Sequence, residues 1–270
     1  MKYKLICSDL DDTLIDSKRQ FGKKLKESIS KYVSLGGKFC IVTGRMTQGA
    51  LPIAKELGLK GEIITYQGAA ITDIESGEEY YKAFVSVEDA VEIGKYLESK
   101  GYYYQIYIDG YVYTEKACSF TELYATISHA EFVQTGIKLT EYIPAKNIRT
   151  PKLLVLEDPS KIPEILAELK EKFGDKFLIN TSKPFIVEII PKGVSKGGSV
   201  KFVADKYGIK QDEIICVGDS ENDVTMLDFA GLGVCVGSGS EVAKLHANVI
   251  APDLDHDPVS WVIERYCLAE

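Results

Sequence analysis

Several features are scarce in this sequence of 270 residues, and each scarcity closes off a class of protein. No apolar run approaches the roughly 20 residues that cross a bilayer as a helix, so no membrane partner is expected. The opening MKYKLICSDLDD lacks the long apolar segment and small-residue cleavage site of a secretory signal, which points to a cytoplasmic protein. Histidine is limited to His129, His246 and His256, at no metal-ligand spacing. The single tryptophan, Trp261, falls in an apolar helical stretch, and all four read as structural or surface residues. Cys7, Cys40, Cys118, Cys216, Cys235 and Cys267 form no CxxC pair. Cys7, Cys40, Cys216 and Cys235 lie in apolar, strand-like runs and read as reduced core thiols, not as zinc ligands or disulfides. Gly237-Ser238-Gly239 is too short and wrongly placed for a dinucleotide fingerprint. Internal repeats and low-complexity linkers are missing too.

What is present is an ordinary globular composition, 45% hydrophobic and 27% charged. The length suffices for one large domain or two modest ones with a buried core. Acidic residues outnumber basic ones 40 to 32, for a net charge of -8. That balance argues against nucleic acid, whose phosphates need clustered Lys and Arg. It leaves room for a small anionic substrate, since one local cation outweighs the overall sign.

The first 65 residues predict a β-α-β-α-β pattern. Strands are expected at 4–8, 38–42 and 62–65. Phe21, Leu25, Ile29, Tyr32 and Val33 recur at helical spacing, as do Ala50, Leu51, Ile53, Ala54 and Leu57. This is the pattern of a parallel sheet with crossover helices. The texture changes near residue 83. A helix is expected over 87–97, a hairpin over 102–113 turning at Asp109-Gly110, a strand over 151–156, a helix over 162–173 and two strands within 177–190. After Pro191 the first texture returns, with helices at 196–207, 224–230 and 259–266 and strands at 213–217, 232–236 and 248–251. The expected architecture is therefore an α/β fold: a Rossmann-like parallel-sheet core, residues 1–82 and 189–270, interrupted by an inserted α+β domain, residues 83–188.

Three expected core strands end in polar residues. The first ends in Asp9-Leu10-Asp11-Asp12-Thr13, the second in Thr43-Gly44, and the one after the insertion in Gly218-Asp219, followed by Ser220, Glu221, Asn222 and Asp223. In open parallel sheets, ligands bind beyond the carboxyl ends of the strands. If these strands are neighbours, their ends share one crevice. Asp9, Asp11, Asp219 and Asp223 brought together would repel and raise each other's pKa. A hard divalent cation resolves that conflict, and an all-oxygen set favours Mg²⁺. The Thr43 hydroxyl and Gly44 N–H can donate to a phosphate, and Lys196, opening a helix, can add charge.

Asp9-Leu-Asp-Asp-Thr-Leu14, Thr43-Gly-Arg45, Lys196 within GVSKGGSV and Gly218-Asp-Ser-Glu-Asn-Asp223 resemble the four motifs of the haloacid dehalogenase superfamily. Their order, with about a hundred residues inserted after the third strand, is similar to the Cof-type phosphatases. The resemblance covers nearly the whole chain. It implies a Rossmann-like core, a large inserted cap that covers the site, and Mg²⁺-dependent hydrolysis of small phosphate monoesters such as sugar phosphates. It further implies that Asp9 attacks phosphorus, and that Asp11 protonates the leaving oxygen and then activates water. Thr43, Gly44, Lys196 and Asn222 would hold the phosphoryl group. Asp219, Asp9 and the Asp11 backbone carbonyl would ligate the metal, and Asp223 would reach it through a water. Two departures stand out: Asp12 where many relatives carry Gly, and Asp257-Pro258-Val259 where relatives often have a Gly-Val pair.

Aspartate at position 9 excludes a serine-type phosphomonoesterase, and no Cys-x5-Arg signature is present. A phosphotransferase or mutase using the same aspartyl-phosphate differs only in its acceptor. A signalling receiver shares the acids but is about half this length, and a non-catalytic binding protein does not need the intact acid set. Arg45 is a candidate contact for an anionic or hydroxylated substrate. In the tyrosine-rich hairpin, Tyr104, Ile106, Ile108, Tyr111 and Tyr113 share one face and are expected to pack within their own sheet. The expected partner is a small phosphorylated metabolite.

Overall fold

The computed structural model describes residues 1–128 and 130–268, so His129 lies outside the described residues. The chain divides into two units, one of Met1–Tyr81 with Ser195 onward, the other of Lys82–Val194. In chain order the first unit opens with β1 (Leu5–Ser8), α1 (Leu25–Ser34), β2 (Lys38–Ile41), α2 (Thr47–Glu56), β3 (Glu62–Thr65), β4 (Ala70–Asp73) and β5 (Glu79–Lys82), the last residue of which begins the second unit. The second unit holds α3 (Val87–Lys100), β6 (Tyr103–Ile108), β7 (Tyr111–Thr114), α4 (Ser119–Ser128), β8 (Glu131–Gln134), α5 (Leu139–Lys146), β9 (Leu153–Leu156), α6 (Ile162–Phe173), β10 (Phe177–Lys183) and β11 (Ile186–Pro191). The first unit resumes with α7 (Lys196–Tyr207), β12 (Ile214–Gly218), α8 (Val224–Phe229), β13 (Leu232–Cys235), α9 (Glu241–Leu245), β14 (Val249–Ile250) and α10 (Pro258–Ile263). No helix among the described residues is long and apolar enough to cross a membrane.

The main sheet of the first unit runs β14-β13-β12-β1-β2, parallel throughout. Strands β1 and β12 are buried along their whole length, as expected where helices cover both faces of a parallel sheet. On one face Ile6, Ile41, Ile215 and Val217 meet Ile29, Tyr32, Ala50 and Val262. On the other, Cys7, Cys40, Cys216 and Cys235 meet Val200, Val203, Met226 and Leu227. Cys7 stands in register with both Cys40 and Cys216, and all six thiols are free. Helix α1 buries Leu25, Ser28, Ile29 and Tyr32, the stripe of an amphipathic helix laid on a sheet.

Residues 66–82, unassigned from the sequence, form a tight turn followed by β4 and β5, and these make a separate three-stranded sheet in the order β3-β4-β5. The link to the main sheet is one parallel bridge, Val42 to Ile64.

The second unit is a six-stranded sheet, β10-β11-β9-β6-β7-β8, antiparallel except for the β7–β8 pair. Strand β11 stays paired with β10 through Ile190 and Pro191, so this unit extends past residue 188. Tyr104, Ile106, Leu153, Val155, Val187 and Ile189 cluster with apolar residues of α3, α5 and α6. Tyr113 stacks on Tyr142 with ring centroids 5.9 Å apart. Tyr111 is largely exposed. The neighbouring β6 residues point the other way and are polar: Gln105 and Tyr107 are fully buried, and Tyr107 donates to Tyr124 at 2.7 Å.

Candidate active site

The neighbours β12, β1 and β2 end side by side, so Asp219, Asp9 and Thr43 leave the same edge of the sheet. The Asp9 N–H donates to the Val217 carbonyl at 2.9 Å, which keeps its backbone laced to β12. Asp223 closes a short turn that starts α8, and its Oδ2 accepts from the N–H groups of Asp219 at 2.9 Å and Ser220 at 3.1 Å. That return path needs Gly218: a Cβ there would lie 2.6 Å from the Asp223 side chain. Lys196 opens α7, whose first turn is capped by Ser195 Oγ accepting from Gly198 N–H at 3.0 Å. The Lys196 ammonium is buried and donates to Asp9 Oδ1 at 2.6 Å and Asp223 Oδ1 at 2.5 Å.

Asp9, Asp219 and Asp223 each bring a carboxylate oxygen within 4.8 Å of the others. With all three acids ionised, one ammonium would leave two negative charges in a largely dry place. Burial, reinforced by Asp223 and Asp219 and opposed by Lys196, pushes the Asp9 carboxyl well above the usual range. Burial and Asp223 likewise push Asp219 up to about 7, against Lys196 and a hydrogen bond from the Thr13 hydroxyl. Burial works against the Lys196 ammonium, but Asp223 and Asp9 outweigh it and hold its pKa above the ordinary lysine value. An all-oxygen donor set with surplus negative charge fits a hard divalent cation.

Thr43 is buried, and its hydroxyl oxygen accepts from Arg45 N–H at 3.1 Å. Asn222 joins the same edge through Gln67: its Nδ2 donates to Gln67 Oε1 at 3.1 Å. Asp11 differs from the other three acids. Its side chain, 35% exposed, is outside the group of three and sits on Arg45, which donates from Nε to Oδ2 at 2.8 Å and from Nη2 to Oδ1 at 2.6 Å. A planar guanidinium fork takes both oxygens of a carboxylate at once, and this holds Asp11 away from the cluster. It still adds to the negative field at Asp9.

Both sequence departures have one physical explanation. Asp12 and Asp257 have φ of 62° and 57°, in the left-handed region where Gly is easiest and Asp is the best-tolerated alternative. Asp257 Oδ2 also accepts from Lys24 N–H at 3.2 Å. Sequence reasoning passed over Thr13 and Gln67. Gln67 follows β3 as Thr43 follows β2, so the strand-end rule that picked out Thr43 would have reached it.

The same architecture recurs in known proteins. A Streptococcus pyogenes serotype M6 protein provisionally named a phosphatase is 27% identical, over 99% of this chain and 100% of its own length. A Bacillus subtilis relative named 5-amino-6-(5-phospho-D-ribitylamino)uracil phosphatase is 27% identical, over 97% of both chains. A solved haloacid dehalogenase-like hydrolase from Bacteroides thetaiotaomicron superposes with a TM-score of 0.86 at 29% identity, covering 98% of this chain and 99% of its own. Residues 6–263, nearly the whole molecule, match the haloacid dehalogenase-like hydrolases, so the chain belongs to that family and is one of its phosphatases.

Proposed function

We propose that this phosphatase is a Mg²⁺-dependent hydrolase of small phosphate monoesters, sugar phosphates among them, working through an aspartyl-phosphate on Asp9. The observation that carries the reading is the 2.6 Å contact of Lys196 Nζ with Asp9 Oδ1 inside the group of three carboxylates. Asp9, Asp219 and the Asp11 backbone carbonyl would hold the ion, with Asp223 reaching it through a water. Bound there, Mg²⁺ supplies positive charge against the carboxylates and the transferring group. Lys196 counters the burial of Asp9 and so favours the ionised nucleophile.

In the first step a carboxylate oxygen of Asp9 attacks phosphorus. The bond from phosphorus to the ester oxygen breaks, and Asp11 gives its proton to that oxygen. In the second step Asp11 takes a proton from water, the water oxygen attacks phosphorus, and the Asp9–phosphorus bond breaks. Splitting the reaction in this way divides one hard displacement into two. Thr43, Gly44, Lys196 and Asn222 orient the phosphoryl group, the main task in this chemistry. Asp11 must give up one of its Arg45 hydrogen bonds and take up a proton from solvent at the freed oxygen before it can donate. An anionic or hydroxylated leaving group that engages Arg45 would release it. The Bacillus subtilis relative, named for a phosphorylated ribityl compound, supports a small polyol or sugar phosphate as the substrate class.

A panel of sugar phosphates and related esters, assayed for inorganic phosphate with Mg²⁺ and with EDTA, tests the reading on the wild type and Asp9→Asn. Release is expected to need both metal and Asp9, and Arg45→Ala is expected to lower kcat/KM. Full activity of Asp9→Asn would remove Asp9 as nucleophile. Consumption of ester with the phosphate appearing on a sugar hydroxyl would make the enzyme a transferase.

A further inference from the structure

Gln67 sits where the chain leaves β3, and its side chain is 2% exposed. Tyr66, Gln67 and Gly68 have φ of 51°, 60° and 99° in succession. Glycine adopts such angles freely, whereas for Tyr and Gln the left-handed region is strained. The strain is held by the surroundings. Tyr66 N–H donates to the Arg45 carbonyl at 2.9 Å and Gln67 N–H to the Thr43 carbonyl at 3.0 Å. Ser199 Oγ donates to the Gly68 carbonyl at 2.8 Å. A Cβ at position 68 would lie 2.5 Å from the Ser195 carbonyl oxygen, so this turn is wedged between the Thr43 loop and the start of α7.

The strain aims one side chain. Ser220 Oγ donates to Asn222 Oδ1 at 2.6 Å, and Asn222 Nδ2 donates to Gln67 Oε1 at 3.1 Å. That relay orients the Gln67 amide and turns Nε2 toward Gly44, where a Cβ would lie 2.5 Å from it. Nε2 is buried and has no hydrogen-bond partner among the described residues. A buried amide N–H left unpaired is costly, so a strained turn that maintains one implies an acceptor from outside the chain. Glycine at 44 is what lets the Gln67 amide pack this close, and the buried Thr43 hydroxyl belongs to the preceding residue.

We propose that Gln67 Nε2 donates to an oxygen of the bound phosphoryl group, making Gln67 a phosphate-binding residue beside Thr43 and Gly44. The proposal rests on the phosphatase reading above, and it deepens that reading by adding a neutral donor delivered from the end of β3. The test is calorimetric titration of the full chain, with Mg²⁺ present, using inorganic phosphate as the probe. Gln67→Leu should weaken binding about tenfold or more, as expected for losing a hydrogen bond to a charged group. Gln67→Glu keeps the shape and the acceptor that Asn222 uses, but places a negative charge where the donor was, and should weaken binding further than Gln67→Leu.

A merely structural role predicts the opposite order, with Gln67→Glu close to wild type. That order, or wild-type affinity in Gln67→Leu, overturns the proposal. If Gln67→Leu fails to fold, the near-isosteric Gln67→Glu alone decides. A wild type that binds inorganic phosphate but hydrolyses no ester refutes the phosphatase reading while the variants still judge Gln67. A wild type that binds no phosphate refutes the role given to Gln67.

Discussion

At the scale of single residues, the site is a problem of charge confined in little space. Asp219 is pushed up to about 7 chiefly by burial and by Asp223. Its unfolded value is the ordinary carboxylate range, near 3.9. Between those limits the folded chain binds more protons than the unfolded one, so stability falls as pH rises. Asp9 is shifted in the same direction and deepens the trend. In EDTA the melting temperature should therefore decline from about pH 5 to pH 7 through these groups. Mg²⁺ binds the deprotonated carboxylates and should restore stability, more strongly the higher the pH. Melting curves at several pH values, with EDTA and with Mg²⁺, check this. A metal-induced gain that shrinks with rising pH would contradict it. The acids and Lys196 were legible because their residue types, at the ends of expected strands, suggest few other uses together. The seating of Asp11 on Arg45 was not, since a neighbouring guanidinium is a fact of rotamers. Gln67 carries no charge; its place just after β3 can be read from the strand-end rule, but the burial of its Nε2 beside Gly44 appears only in the structure.

At the scale of elements, the parallel core was the easiest part to read. Strands such as β1 and β12 are short, uniformly apolar and followed by acids, and helices such as α1 show a clean stripe. Strand β5 is mostly exposed, β8 buries no residue fully, and α4 buries only Thr121, so none of them shows the pattern that burial imprints. Packing that matters to the site is carried by small residues as much as by patterns. Helix α7 delivers Lys196, and its next residue, Gly197, lies against α8: a Cβ there would stand 2.2 Å from the Thr225 carbonyl oxygen. That neighbour is backbone and cannot rotate aside. Gly197→Ala should cost about 1–3 kcal/mol of stability, as overpacking does, and should lower kcat by shifting Lys196. Gly49, within α2, meets nothing within 4 Å of an added Cβ and has no positive φ. Gly49→Ala should stabilise by about 0.5–1 kcal/mol through helix propensity. Urea midpoints of the two variants should move in opposite directions, and equal shifts would discredit the packing argument.

At the scale of the whole molecule, two units with separate cores share one chain, and the second interrupts the first. The change from crossover helices to hairpins made that interruption visible in the sequence, because parallel and antiparallel sheets need different connections. Less visible was the polar interior of the second unit. Lys152, just before β9, and Glu188 on β11 pair at 3.2 Å with side chains only 2% and 4% exposed. Lys152 also lies over the Tyr107 ring at 4.9 Å, and Ser182 Oγ donates to the same Glu188 oxygen at 2.9 Å. Desolvating two charges offsets most of what their attraction returns, so such a pair adds little net stability. Removing one partner is different, because the other is left charged in a dry place. Lys152→Met should therefore lower unfolding free energy by about 3–5 kcal/mol, while Lys152→Met combined with Glu188→Met should recover most of that loss. Urea denaturation of both single variants and the double closes the cycle. Additive losses would show that the two charges act independently, and the buried pair would then have to be read as two separately solvated groups.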